Sequence, residues 1–111
     1  MENSLEFCKM DNFGLLKEDI ENIKQVFLKY NQIEKVLIYG SRAKGNYKPA
    51  SDIDLTLLGE NIDLSLQFKI ELELDDLMLP YKFDTSIYDR ITNPEFIDHI
   101  NRVGKEFYKK K

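Results

Sequence analysis

The sequence predicts an α/β (α+β) domain, a small mixed β-sheet flanked by helices. Two observations predict it. Stretches with apolar residues at helical spacing alternate with short apolar or β-branched runs, and Gly, Pro and Asn stand at most of the junctions. With 111 residues the chain has the length of one self-sufficient core. The expected division is a short N-terminal extension over 1–12 and a single domain over 13–111.

The first helix is marked by Leu16, Ile20, Ile23, Phe27 and Tyr30, which recur at intervals of three and four, with Glu18, Asp19, Lys24 and Lys29 on other faces. No Ser, Thr, Asp or Asn stands at its start near Leu15 and Leu16, so it begins weakly capped. Residues 35–39, KVLIY, form a short apolar run that stops at Gly40 and reads as a buried strand. After a loop over 46–51, residues 52–58 read as a second strand. Its alternation sets Asp52, Asp54 and Thr56 on one face and Ile53, Leu55 and Leu57 on the other. Residues 59–63 make a turn.

Residues 64–74 fit two patterns. Leu64, Leu66, Phe68, Ile70, Leu72 and Leu74 alternate strictly with polar residues, as in a strand, yet the same residues supply the helical stripes 66-70-74-77 and 64-68-72. The composition is rich in Leu, Glu, Lys and Gln, Asp63 is available as a cap, and the span exceeds the usual strand, so the expectation is a helix. Pro80 closes it. Residues 81–88 then read as a third strand, with Phe83, Thr85 and Ile87 opposite Lys82, Asp84, Ser86 and Tyr88. Asn93-Pro94-Glu95 is a strong helix start, with Asn as cap and Pro at the first helical position. Phe96, Ile97, Ile100 and Val103 make that helix's apolar stripe, Gly104 ends it, and 106–108 can form a short edge strand.

Composition excludes several classes. No apolar run is long enough to cross a bilayer, and MENSLEFCKM lacks the basic-then-apolar layout of a secretory signal. A lone cysteine, Cys8, allows no internal disulfide, and the expected location is the cytoplasm. The net charge of −4 argues against a nucleic-acid binder that relies on phosphate contacts alone. The basic run 109–111 reads as a solvated tail. No direct nucleic-acid partner and no membrane are expected.

The chemistry lies in GSRAKGNYKPASDIDL, residues 40–55. A strand that ends in Gly40-Ser41 and turns at once into Arg42-Ala43-Lys44 can present backbone N–H groups to a phosphate, with the Ser hydroxyl as one more donor. Taken alone, Gly-Ser is a common turn. Asp52-Ile53-Asp54 is more specific: strand periodicity projects both carboxylates from one face, with Cα atoms about 6.6 Å apart. Like charges so close repel unless a cation sits between them, and hard oxygen donors suit Mg²⁺ or Mn²⁺ shared with substrate phosphates. A solvated acidic strand edge is the plain alternative, weakened because Asp is disfavoured inside strands. Asp84 is a third carboxylate on a polar strand face. If its strand lies beside the second, the three acids converge and can hold two metal ions about 3.5–4 Å apart.

The ten-residue gap between Gly40-Ser41 and Asp52-Ile53-Asp54, followed by Asp84 on a later strand, resembles the polymerase-beta-like nucleotidyltransferase superfamily. More narrowly, GSRAKG, SDIDL, LPYKFD and ITNPEFIDHINRVGKEFY resemble the minimal nucleotidyltransferases (MNT proteins), including the MntA-type antitoxins, from Phe13 onward. The resemblance implies the fold of that superfamily and a role for each matching residue. Gly40 and Ser41 would hold the β- and γ-phosphates of ATP. Asp52 and Asp54 would ligate both of two Mg²⁺ ions, and Asp84 only the catalytic one while it helps to activate the attacking hydroxyl. Arg42 and Lys44 would be phosphate neighbours, with a solvated helix face as the alternative for each. The one departure is Leu16, where family members often carry a capping Ser.

Size narrows the acceptor. Template polymerases and antibiotic adenylyltransferases need further domains, for which 111 residues leave no room. In MntA-type systems the acceptor is a tyrosine of a HEPN-domain ribonuclease toxin, so the resemblance implies an antitoxin that transfers AMP to such a partner. An antitoxin that neutralises by binding alone, or a small-molecule nucleotidyltransferase that acts as a dimer, are the alternatives, and homo- or hetero-oligomers stay open. His99 reads as a surface helix residue, and Tyr47, Tyr81 and Tyr88 as core and rim.

Overall fold

The computed structural model describes residues 13–111. The expected N-terminal extension over 1–12, with Cys8, lies outside the described residues. Helix α1 spans Lys17–Leu28 and starts, as its uncapped sequence suggests, from an extended Leu16 that makes no side-chain cap bond. Ile20, Ile23, Val26 and Phe27 are buried. Two positions depart from the expected stripe. Leu16 is 60% exposed and Leu15 buried in its place, because helical periodicity does not extend into the extended residue before the first turn. Asp19, expected outward, is buried at 7% exposure.

Strand β1 (Ile33–Tyr39) runs into the one-turn helix α2 (Gly40–Lys44), which ends at the left-handed Gly45. Strand β2 follows at Ile53–Gly59. The ambiguous stretch is helix α3, Leu64–Asp76, and Asp63 caps it by accepting from the Leu66 N–H at 2.8 Å. Of its two stripes, Leu66, Ile70 and Leu74 are buried while Leu64, Phe68 and Leu72 face outward. Strand β3 (Phe83–Ile87) passes through a single 3₁₀ turn, Tyr88–Arg90, to helix α4 (Pro94–Val103), capped by Asn93 with Pro94 at its start. Gly104 closes α4 through its N–H to the Ile100 carbonyl at 2.7 Å, and strand β4 is Lys105–Lys109.

The four strands form one sheet in the order β3-β2-β1-β4. β1 is antiparallel to both β2 and β4, and β2 is parallel to β3, so the sheet is mixed. A parallel pair needs a crossover, which α3 supplies. One face of the sheet, built by Val36, Ile38, Ile53, Leu55, Leu57 and Ile87, forms the core with the buried stripes of α1 and α3. α3 is fixed to β3 by polar contacts as well. Thr85 Oγ1 donates to Glu71 Oε2 at 2.6 Å, and Gln67 Nε2 donates to the Thr85 carbonyl at 3.1 Å. With the core on one face, strand alternation sends Asp54, Thr56, Asp84 and Ser86 to the other. Among the described residues no helix is long and apolar enough to cross a membrane.

Candidate active site

The site begins where β1 ends. Gly40 takes φ +76°, a conformation that residues with a Cβ adopt at a cost, and a Cβ there would collide with the Asp54 carboxylate. Both constraints select glycine, which lets the backbone lie directly against the acid. Ser41 follows, partly exposed, in the first turn of α2. The N–H groups of that turn have no partner within the helix, as at any helix start.

Register then aligns the acids. Asp54 is the partner of Tyr39 across the antiparallel pair β1–β2 and of Asp84 across the parallel pair β2–β3. Tyr39, Asp54 and Asp84 therefore form one row across three strands. Asp52 stands one residue before β2, exposed, and Asp84 is also exposed, while Asp54 is half-buried between them. Burial pushes the Asp54 carboxyl up to about 6, and the negative charges of Asp84 and then Asp52 add to it. Below this row, Ser86 Oγ donates to Thr56 Oγ1 at 2.9 Å, which satisfies a hydroxyl that is fully buried.

Tyr39 was not visible as a site residue from the sequence. Its phenol is pushed up chiefly by burial, partly offset by a hydrogen bond with Ser86, with Asp84 and Asp54 raising it further. The ring is seated under α4, edge-on to Phe96 at 5.5 Å and to His99 at 6.1 Å. Thus His99, expected on the surface, is partly buried and braces the tyrosine beside the acids.

Arg42 is not on the solvated helix face that was the alternative to its expected role as a phosphate neighbour. It is 2% exposed, and its fork donates to three carbonyls, Ser51 at 3.1 Å, Phe13 at 2.9 Å and Pro49 at 3.1 Å. Tyr47 and Tyr81 lie against the guanidinium, with ring centroids 5.2 and 5.1 Å away. Three of the five N–H donors of the guanidinium are thus given to backbone carbonyls. Lys44 is exposed and borders a cavity of about 480 Å³ with Tyr47, Lys105 and Glu106, a cavity that none of the three aspartates lines.

A model of the family described as polymerase beta, nucleotidyltransferase matches residues 21–111. The chain belongs to that family. It is a nucleotidyltransferase, and so a transferase. A Methanocaldococcus jannaschii protein described as a candidate protein adenylyltransferase is 26% identical over 105 residues, with 87% of this chain and 99% of the relative covered. Among solved structures, a chain of a toxin–antitoxin crystallised with AMP-PNP matches at a TM-score of 0.67 and 18% identity, covering 86% of this chain and 76% of that one. A complex of a tri-AMPylated Shewanella oneidensis HEPN toxin with an MNT antitoxin matches at a TM-score of 0.57 and 13% identity, over 85% and 72% of the two chains. At these identities the structural likeness is one of fold, and it agrees with the expected polymerase-beta-like architecture.

The nucleotidyltransferase's acids suit a hard divalent cation by donor type. Among the described residues no group of three His, Cys, Asp or Glu side chains is gathered tightly enough to hold a metal by itself. Mg²⁺ does not require such a cage, because it is commonly held by one or two carboxylates together with substrate phosphates and water. Burial is the first cause of the raised Asp54 carboxyl, the charges of Asp84 and Asp52 add to it, and neither ion pair among the described residues involves these acids. The donor set therefore fits.

Proposed function

We propose that this nucleotidyltransferase transfers AMP from ATP to a tyrosine hydroxyl of a HEPN-domain ribonuclease toxin and acts as its antitoxin. The observation that carries the reading is the Asp54–Asp84 register pair set against the glycine of the Gly40-Ser41 turn. A carboxylate pair beside unpaired N–H donors is what transfer from a nucleoside triphosphate calls for. The candidate adenylyltransferase from M. jannaschii and the toxin–antitoxin fold neighbours support the choice of acceptor.

In this reading the N–H groups of the α2 turn and the Ser41 hydroxyl bind the β- and γ-phosphates, and Gly40 admits them close to the backbone. Asp52, Asp54 and Asp84 would hold two Mg²⁺ (or Mn²⁺) ions, which when bound neutralise phosphate charge and sharpen the acidity of the acceptor hydroxyl. The acceptor oxygen attacks the α-phosphorus as the bond to the β-phosphate oxygen breaks. AMP passes to the tyrosine, pyrophosphate leaves, and Asp84 draws off the hydroxyl proton. Burial under α4 keeps Tyr39 itself from competing as an acceptor, and its ring closes one side of the row.

Co-expression with a HEPN-domain toxin tests the proposal. The toxin should gain the mass of AMP, and Asp52→Asn or Asp54→Asn should abolish the gain. A toxin still modified by those variants would remove the acids from the reaction. A second reading, neutralisation by binding alone, draws on the exposed ridge of Leu64, Phe68 and Leu72 along α3. Full neutralisation by a variant lacking all three acids would favour it.

A further inference from the structure

We propose that Arg42 is a positioning residue that fixes the span between the Gly40-Ser41 turn and Asp52 and makes no contact with the nucleotide. The inference rests on the nucleotidyl-transfer reading of the same site. The two halves of the motif are joined by residues 42–51, of which Gly45, Asn46, Lys48, Pro49 and Ala50 are exposed. Exposed loop backbone of this kind defines no distance on its own. Apart from the bonds of Arg42 itself, the loop is closed by a turn in which the Lys48 N–H donates to Ser51 Oγ at 2.8 Å and the Ser51 N–H to the Lys48 carbonyl at 2.9 Å.

Arg42 supplies what the loop lacks. Its backbone adjoins Ser41, and its side chain grips the carbonyl of Ser51, the residue before Asp52, and of Pro49 beyond it. One side chain thus ties the phosphate turn to the first carboxylate. Its third bond, to Phe13, and the stacked Tyr47 hold the clamp from the N-terminal side, where a Cβ on Gly14 would collide with the Tyr47 ring. Tyr81 also lies against the guanidinium, and the Ile53 N–H donates to the Lys82 carbonyl at 2.8 Å. The clamp therefore also grips the segment that leads into β3 and Asp84.

The chemistry of the partners separates this role from phosphate binding. A buried charge is tolerated when its donors are satisfied, and here they go to neutral carbonyls and aromatic faces, with no ion pair to Arg42 among the described residues. Only a planar fork reaches three carbonyls in different directions with two aromatic rings against it. Lysine keeps the charge and loses that geometry.

The test uses Arg42→Lys and Tyr81→Leu in the full chain, with circular dichroism as the check on folding. For Arg42→Lys, amide exchange over residues 48–53 should accelerate about tenfold while β1 stays protected. Mn²⁺ affinity, read by electron paramagnetic resonance, should weaken in parallel. The kcat should fall about ten- to a hundredfold, since small misplacements of reacting groups are that costly, with KM for ATP changed by less than about twofold. Tyr81→Leu keeps the three carbonyl bonds and should show the same loosening to a smaller degree, which decides the matter if Arg42→Lys does not fold. Unchanged exchange and Mn²⁺ affinity in both variants would overturn the clamp, as would a large rise in KM for ATP with kcat intact. A wild-type chain that transfers no nucleotide would sink the functional reading, while exchange and Mn²⁺ binding would still judge Arg42.

Discussion

Asp54 sits opposite Asp84, its register partner in the parallel pair of β2 and β3. Adjacent strands lie about 4.8 Å apart, so two carboxylates are held side by side by backbone hydrogen bonds. On the far side of Asp54 the antiparallel partner is Tyr39, whose buried phenol offers no countercharge. The sheet thus holds uncompensated negative charge on its outer face, braced from beneath by the hydroxyl pair of Ser86 and Thr56. The divalent cation proposed above would relieve that charge, and a dependence on pH and on divalent ions would follow from it.

Asp54 should make the metal-free protein less stable as pH rises. Its carboxyl goes from an ordinary 3.8 to about 6 in the folded chain. Between those values the folded state holds a proton that the unfolded state has released, so this group's contribution declines as pH climbs through the window and levels off above it. The carboxyl is partly exposed, and after discounting for solvent screening the effect is about 1 kcal/mol. Thermal melts from pH 4 to 8 with chelator present should show Asp54→Asn gaining on wild type as pH rises. Added Mg²⁺ should reverse the order at pH 7 and act more weakly below pH 6. A wild type and Asp54→Asn that melt in parallel across the range would refute the assignment.

Gly40→Ala should damage both fold and chemistry. The substitution meets a φ of +76° and drives a methyl into the Asp54 carboxylate. The backbone conflict alone costs about 1 kcal/mol or more, and the displaced carboxylate should lower transfer well beyond what that loss explains. Gly45→Ala is the control: its φ of +93° carries a backbone cost, yet nothing lies within contact of the added methyl. Comparable activity in the two variants would deny the close approach at Gly40 any role.

Legibility from sequence followed the range of the interaction involved. Local signals held: the Asp63 and Asn93 caps, the strand faces around Asp54 and Asp84, and the uncapped start of α1 all come from neighbours within a turn or a pleat. The position of Asp84 beside Asp54 was conditional on strand order, which α3 as a crossover then supplied. The burial of Arg42 was not legible because its partners, Phe13, Pro49 and two tyrosines, are brought together only by tertiary folding. Tyr39 escaped for a related reason: its pairing depends on the register of β1 against β2, which the residues of β1 alone do not encode.

The acids should separate by role. With Asp52 and Asp54 proposed to touch both cations and Asp84 only one, Asp84→Asn should retain ATP and one Mn²⁺ equivalent, whereas Asp54→Asn should lose most of both. Transfer should fall about 10²–10⁴-fold in Asp84→Asn, the usual scale for loss of a proton-accepting group. Asp84 is exposed, so its variant should melt like wild type. Calorimetric titration of Mn²⁺ with AMP-PNP distinguishes the cases, and equal metal loss in the two variants would reject the division.

The two patterns in residues 64–74 make opposite forecasts for a pair of substitutions. In a strand, Phe68 and Ile70 share a face, and truncating either would cost similar stability. In α3 they lie about 200° apart, Ile70 fully buried in the core and Phe68 60% exposed. Ile70→Ala should therefore cost about 2–4 kcal/mol, the loss of a buried branched side chain plus the cavity it leaves. Phe68→Ser should change stability by no more than about 0.5 kcal/mol in the isolated chain, since it removes no buried contact. Urea denaturation of the two variants reads both numbers at once. Near-equal losses would restore the strand and, with it, remove the crossover that places Asp84 beside Asp54.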